Sequence, residues 1–220
     1  MSGSLELILG PMFSGKTSAL QSIIRRHDAL GLKCVAFKPQ LDNRYHTPEE
    51  NNEAYDTYYI YNHDKVKATA MSVKYLTQIA RSSYYDEAQL IIVEEGQFFS
   101  DLYEFVLKAV EVDGKNVVVA GLDGDRFRKP FGQLLQLIPL ADRITKLLAL
   151  CKLCASSSDP KAVPALFSYG ATQTTDTICV GGPEYYMPLC RQHYLTKIAE
   201  QDDSLSTMLE PSEHLPTENP

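Results

Sequence analysis

The sequence predicts an α/β fold, a parallel sheet with flanking helices and a small second module, on three observations. Short runs of Leu, Ile and Val recur with enough chain between them for crossover helices. Most of those runs are apolar at every position instead of every second one. Past residue 150 the composition turns to Cys, Ser and Pro. Strands buried on both faces need continuous apolarity, whereas a half-exposed strand alternates. The predicted strands are residues 5–9, 34–37, 90–93, 117–120 and 146–150, and the best helix candidates are 14–30, 73–81 and 101–112.

The stretch opening with Cys151-Lys-Leu-Cys154 carries Ser156, Ser157, Ser158 and Pro160, then short β-like pieces at 165–169 and 177–180. The expected division is an α/β nucleotide-binding domain over 1–150, a small metal-bearing module over 151–197 and an acidic, Pro-containing disordered tail over 198–220. A net charge of -7 argues against sequence-independent capture of nucleic acid, which draws its affinity from Lys and Arg on phosphates. No apolar run approaches the roughly 20 residues that span a bilayer, so no membrane association is expected. The start, MSGSLELILG, lacks the basic region of a secretory signal, and the expected location is cytoplasmic. Five cysteines are an odd number, which in a reducing compartment disfavours a disulfide framework and leaves metal binding or plain burial.

Gly10-Pro11-Met12-Phe13-Ser14-Gly15-Lys16-Thr17 matches GxxxxGK[ST] between an apolar strand and a helical pattern. Successive backbone N–H groups in such a loop wrap a phosphate, and the following helix turns its positive end to the anion. Lys16 is expected to bridge the β- and γ-phosphates of ATP, and the Thr17 hydroxyl to hold Mg²⁺. The bland alternative is a glycine turn that merely starts a helix. The fold is therefore expected to be P-loop NTPase-like.

Such a site takes a second acidic element from the end of another buried strand, and Glu94-Glu95-Gly96-Gln97 follows the apolar run 90–93. Alternation along a strand predicts that Glu94 and Glu95 point in different directions. Glu94 then lies near the water shell of Mg²⁺, and Glu95 faces the acceptor as the base for an attacking hydroxyl. A solvated turn is the competing reading.

Cys151 and Cys154 share their two-residue gap with Cys190 and His193, the spacing that lets both members of a pair reach one ion. Three thiolates and an imidazole fill a tetrahedral Zn²⁺, so the metal is expected to be structural. Cys34 and Cys179 lie in apolar runs and read as packed thiols.

The segments GPMFSGKT, LDNRY, EEGQFF, LDGDRFRKPFG and VGGPEYYMPLCRQH, in that order between about residues 4 and 197, resemble the cytosolic (type II) thymidine kinase family. The resemblance implies transfer of the γ-phosphate of ATP to the 5′-hydroxyl of thymidine, with Glu95 as base. It also implies nucleotide contacts from Asp42, Asn43, Arg44, Glu94 and Gln97. Its nucleoside pocket falls on Met12, Phe98, Leu122, Phe131 and a loop aromatic. Arg126 stands where that aromatic commonly sits, with Phe127 one residue later. Either the loop shifts so that Phe127 stacks on the base, the favoured reading, or Arg126 covers it with its guanidinium plane. Thr177, Ile178, Cys179, Val180, Gly181 and Tyr186 match the family's lasso loop, so the second module reads as a zinc-binding lasso domain. A homotetramer and inhibition by thymidine triphosphate are further implications. Two alternatives stay open: a nucleotide-dependent switch or binding protein whose zinc ribbon binds a partner, and a kinase acting on deoxyuridine.

Overall fold

Among the residues described by the computed structural model (2–40, 57–61, 67–170 and 185–209, with side chains outside 57–69 and 202–209), seven strands form one sheet. In chain order the core elements are β1 (Ser4–Leu9), α1 (Lys16–Asp28), β2 (Cys34–Pro39), β3 (Thr57–Tyr61), β4 (Lys67–Val73), α2 (Ser83–Glu87), β5 (Leu90–Val93), α3 (Leu102–Leu107, continued by a π-turn over Lys108–Val112), β6 (Asn116–Gly121) and β7 (Arg143–Lys146). Their spatial order is β3-β4-β2-β5-β6-β1-β7, parallel throughout except for β3 against β4.

The expected burial of both sheet faces is present. Leu7, Phe37, Ile91, Val93 and Val119 pack on one side with Leu102, Phe105 and Val106 of α3. On the other side Ile8, Ala36, Ile92, Val118 and Ala120 meet Leu20, Ile23 and Ile24 of α1. Those three α1 residues recur at helical spacing, and burying each stabilises the fold by about 1.5–3 kcal/mol. Arg25, Arg26 and His27 in the last turn of α1 suit its negative end.

Two sequence expectations fail in this core. Residues 73–81 are not an α-helix: Val73 ends β4, and Leu76–Gln78 form a 3₁₀ turn. Val73, Leu76 and Ile79 are all buried, so an apolar spacing that reads as helical is met by a strand end and a tight turn. Asp101 fixes that turn, its Oδ2 accepting from Thr77 N at 2.8 Å and Thr77 Oγ1 at 2.9 Å. The run 146–150 is not one strand either. The strand beside β1 is β7, which has a single neighbour and carries Arg143, Thr145 and Lys146. An edge strand escapes a search for continuous apolarity.

The second module comprises β8 (Ala149–Leu150), α4 (Lys152–Ala155), β9 (Pro164–Ala165), β10 (Phe167–Gly170), β11 (Tyr186–Leu189) and α5 (Arg191–Leu209). Two antiparallel pairs, β8–β9 and β10–β11, surround a small core of Ala149, Cys151, Ala165, Tyr169, Leu189, Cys190 and Tyr194. Helix α5 continues past residue 201, so the first part of the segment read as a tail is helical.

Candidate active site and metal centre

The loop after β1 turns into α1 at Gly15, whose φ of 86° is a left-handed conformation that suits glycine. Phe13 is also left-handed, at φ 65°. Lys16 is buried and its Nζ donates to the carbonyls of Gly10 at 3.0 Å and Pro11 at 2.9 Å, so the ammonium lies against the loop. Ser14 Oγ is buried with no hydrogen-bond partner among the described residues, and the first turn of α1 carries no acidic side chain. An orphaned hydroxyl beside a helix N-terminus whose own first turn carries no carboxylate fits an anion held in the loop.

The carboxyl end of β5 meets this loop where Thr17 Oγ1 donates to Glu94 Oε1 at 2.7 Å, with Glu94 only 7% exposed. A hydroxyl and a carboxylate brought together are hard oxygen donors of the kind Mg²⁺ takes. Glu95 has φ 51° and ψ 46°, left-handed for a residue with a Cβ, and such strain clusters at functional sites. Glu95 lies one residue past Glu94, whose backbone N–H donates to Phe37 O, in this turn and outside the β5 strand. Glu95 Oε2 accepts from Gln97 Nε2 at 2.7 Å. The Gln97 amide oxygen in turn accepts from Leu122 N at 3.0 Å.

Of the expected nucleoside-contacting residues, Phe98 and Phe131 form an edge-to-face pair with ring centroids 5.3 Å apart. Met12 N donates to Ser168 Oγ at 2.9 Å, which ties the phosphate loop to β10. Arg126 is 8% exposed and Phe127 is 42% exposed, with the guanidinium 5.1 Å from the Phe127 ring centre. Gly170 makes room for that guanidinium: a Cβ there would lie 3.2 Å from Arg126 Nε. Tyr194 donates its hydroxyl to Arg126 O at 2.6 Å. Arg128, left-handed at φ 64°, sets its guanidinium 4.8 Å from the Tyr194 ring centre. Tyr186 is half-buried in β11 opposite Gly170. Asp42, Asn43, Arg44 and the expected lasso residues Thr177, Ile178, Cys179, Val180 and Gly181 lie outside the described residues.

The two metal-spaced pairs do converge. The ligand atoms of Cys151, Cys154, Cys190 and His193 all lie within 4.8 Å of one another. His193 Nδ1 is 3.3 Å from Cys151 Sγ and 3.4 Å from each of Cys154 Sγ and Cys190 Sγ, and the sulfurs of Cys154 and Cys190 are 3.9 Å apart. Tetrahedral zinc, with Zn–S near 2.3 Å and Zn–N near 2.0–2.1 Å, asks for about 3.8 Å between sulfurs and about 3.6 Å between sulfur and nitrogen. The donor set fits. Burial raises the pKa of the Cys154 thiol, and Cys151 and Cys190 beside it push it further, to about 11. A divalent cation removes that crowding penalty by neutralising the thiolates.

Among the described residues, sequence reasoning gave no role to the buried polar residues Gln21, Lys38, Ser72, Asp125 and Ser168. Lys38 and Ser72 face each other across β2 and β4 at 5% and 7% exposure. Ala36 lies on the α1 side of the sheet, so alternation puts Lys38 on that side too. The signal was available, since a lysine ending an apolar strand is an uncommon burial. Ser168 gave none, because its partner is 156 residues away in sequence.

The family model described as thymidine kinase matches residues 3–194. A thymidine kinase of Oryza sativa subsp. japonica is 40% identical over 197 residues, covering 88% of this chain and 66% of the relative. Thymidine kinase a of Arabidopsis thaliana is 37% identical over 198 residues, 89% of this chain and 76% of the relative. A thymidine kinase of Vaccinia virus (strain Western Reserve) is 36% identical over 193 residues, 88% of this chain and 97% of the relative. The chain thus spans about two thirds of the rice relative and nearly all of the viral one.

Proposed function

The chain belongs to the thymidine kinase family, and from that premise we propose that it transfers the γ-phosphate of ATP to the 5′-hydroxyl of thymidine, as an enzyme of pyrimidine deoxynucleoside salvage. The observation that carries this reading is the Thr17–Glu94 contact, because it brings the end of β5, with Glu95 one residue on, up to the phosphate loop.

In this reading residues Gly10 to Thr17 cradle the triphosphate, and Lys16 bridges its β- and γ-phosphates. Thr17 and Glu94 hold Mg²⁺, which when bound spreads the charge of the transferring phosphoryl group. Glu95 accepts the proton of the 5′-hydroxyl as its oxygen attacks phosphorus and the bond to the β-phosphate oxygen breaks. Asp42, Asn43 and Arg44 complete the phosphate contacts. Arg128 is committed to the Tyr194 ring, which favours Arg44 for neutralising leaving-group charge. Met12, Phe98, Leu122 and Phe131 line the nucleoside pocket, Arg126 and Phe127 border it, and residues 177–181 with Tyr186 recognise the base. Cys151, Cys154, Cys190 and His193 hold a structural zinc. The same reading includes a cytoplasmic homotetramer inhibited by thymidine triphosphate.

The test is incubation with MgATP and single nucleosides. Thymidine becomes phosphorylated, deoxyuridine serves as a poorer or comparable acceptor, and Glu95→Gln abolishes the thymidine-dependent rate while ATP still binds. Hydrolysis of ATP at a rate indifferent to thymidine would instead identify a nucleotide-dependent switch.

A further inference from the structure

We infer that Gln97 is a positioning residue for the carboxylate of Glu95 and ties that carboxylate to the acceptor pocket, in place of the nucleotide contact expected from the sequence. The inference rests on the kinase reading above. Gln97 is 3% exposed and uses both ends of one planar amide: Nε2 donates to Glu95 Oε2 at 2.7 Å, and Oε1 accepts from Leu122 N at 3.0 Å. The two bonds define each other. A backbone N–H can only donate, so the amide oxygen must face Leu122, and the NH₂ group is left facing the carboxylate.

The surrounding chain is shaped for this side chain. A Cβ at Gly121 would lie 2.3 Å from Gln97 Oε1, and one at Gly132 would lie 2.2 Å from the Gln97 carbonyl oxygen, so any larger residue at either place would displace the bridge. Glu95 itself stands in a left-handed turn outside the strand, where no sheet ladder fixes its direction. A buried amide supplies that fixation, as supporting hydrogen bonds do for other reactive groups. Leu122 belongs to the proposed nucleoside pocket, and Phe98 and Phe131, the neighbours in sequence of Gln97 and Gly132, are in ring contact. One amide therefore joins the wall that meets the acceptor to the group that takes the acceptor's proton.

Gln97→Glu tests this directly, because it keeps an oxygen for Leu122 N and removes the N–H that Glu95 accepts. Expected is a fall in kcat of about 100-fold, the loss typical of a small misplacement of a reacting group, with KM for ATP within about threefold of wild type. Gln97→Met, neutral and similar in length, gives the same fall and also raises KM for thymidine, since Leu122 N loses its acceptor. It stands in if the charged variant does not fold. Combined with Glu95→Asp, which keeps a carboxylate and measurable turnover, Gln97→Glu lowers kcat by much less than it does alone, because both act through one carboxylate. A raised KM for ATP with kcat retained, or losses that multiply in the double variant, overturns the inference. Wild-type protein without thymidine-dependent turnover overturns the kinase reading and this one with it, whereas an active wild type and an equally active Gln97→Glu overturn this inference alone.

Discussion

Ser168→Ala removes the acceptor that Met12 N uses at 2.9 Å, and Ser168 is only 6% exposed. The substitution leaves the backbone N–H of the phosphate loop in a partly buried place with nothing to replace its partner. Stranding such a donor costs about 1–3 kcal/mol, more than the net worth of an ordinary hydrogen bond, because the desolvation is not recovered. For a chain of this length each kcal/mol moves the melting temperature by about 2–4 °C, so the variant melts about 2–12 °C below wild type. Loss of order in the loop also weakens nucleotide binding, by about fivefold in KM for ATP for each kcal/mol of pre-organisation lost. Thermal melts of wild type, Ser168→Ala and the control Thr196→Ala, whose hydroxyl is exposed on α5, decide the matter. If Ser168→Ala melts within about 1 °C of wild type while retaining its KM for ATP, the link between β10 and the phosphate loop contributes nothing and the reasoning fails.

Metal removal and one half-buried thiol give two further tests. The purified chain is expected to carry close to one equivalent of zinc, which Cys154→Ser or a strong chelator should remove. Protease then cuts between residues 151 and 193 before it cuts the sheet, whereas unchanged protection refutes a zinc-held module. Burial, with Asp28 adding to it, pushes the Cys34 thiol up to about 12 from an ordinary value near 9. The folded state thus resists forming a thiolate that the unfolded chain forms readily. The associated stability is intact below pH 9 and is lost as pH rises towards 12. In urea unfolding, Cys34→Ser loses less stability than wild type between pH 8 and pH 10.5, and equal losses refute the assignment.

What the sequence disclosed, and what it withheld, follows from the reach of each interaction. The turn carrying residues 10–17 was legible because its motif is contiguous, eight residues running from a strand into a helix that both formed close to where expected. The convergence of Cys151, Cys154, Cys190 and His193 was legible because each pair carries its own short spacing, which local turns convert into proximity. β5 and β6 were legible because two covered faces demand apolar residues at every position. Neither β7 nor β4 met that rule: the first is an exposed edge, and the second mixes Ala70 and Ser72 with Met71 and Val73 and ends in residues that mimic a helix. Glu95 could be named as a candidate base, but its left-handed turn and its amide support depend on Gly121, Leu122 and Gly132, which only the assembled sheet brings alongside.

Phe13, Glu95 and Arg128 share a backbone conformation that side chains rarely adopt, one each in the loop before α1, the turn after β5 and the loop after β6. Such residues hold about 1–3 kcal/mol of strain apiece. An engineer seeking heat resistance by installing glycine wherever a side chain sits uncomfortably would pick these three positions first, and at Glu95 would obtain a sturdier protein stripped of its proposed base.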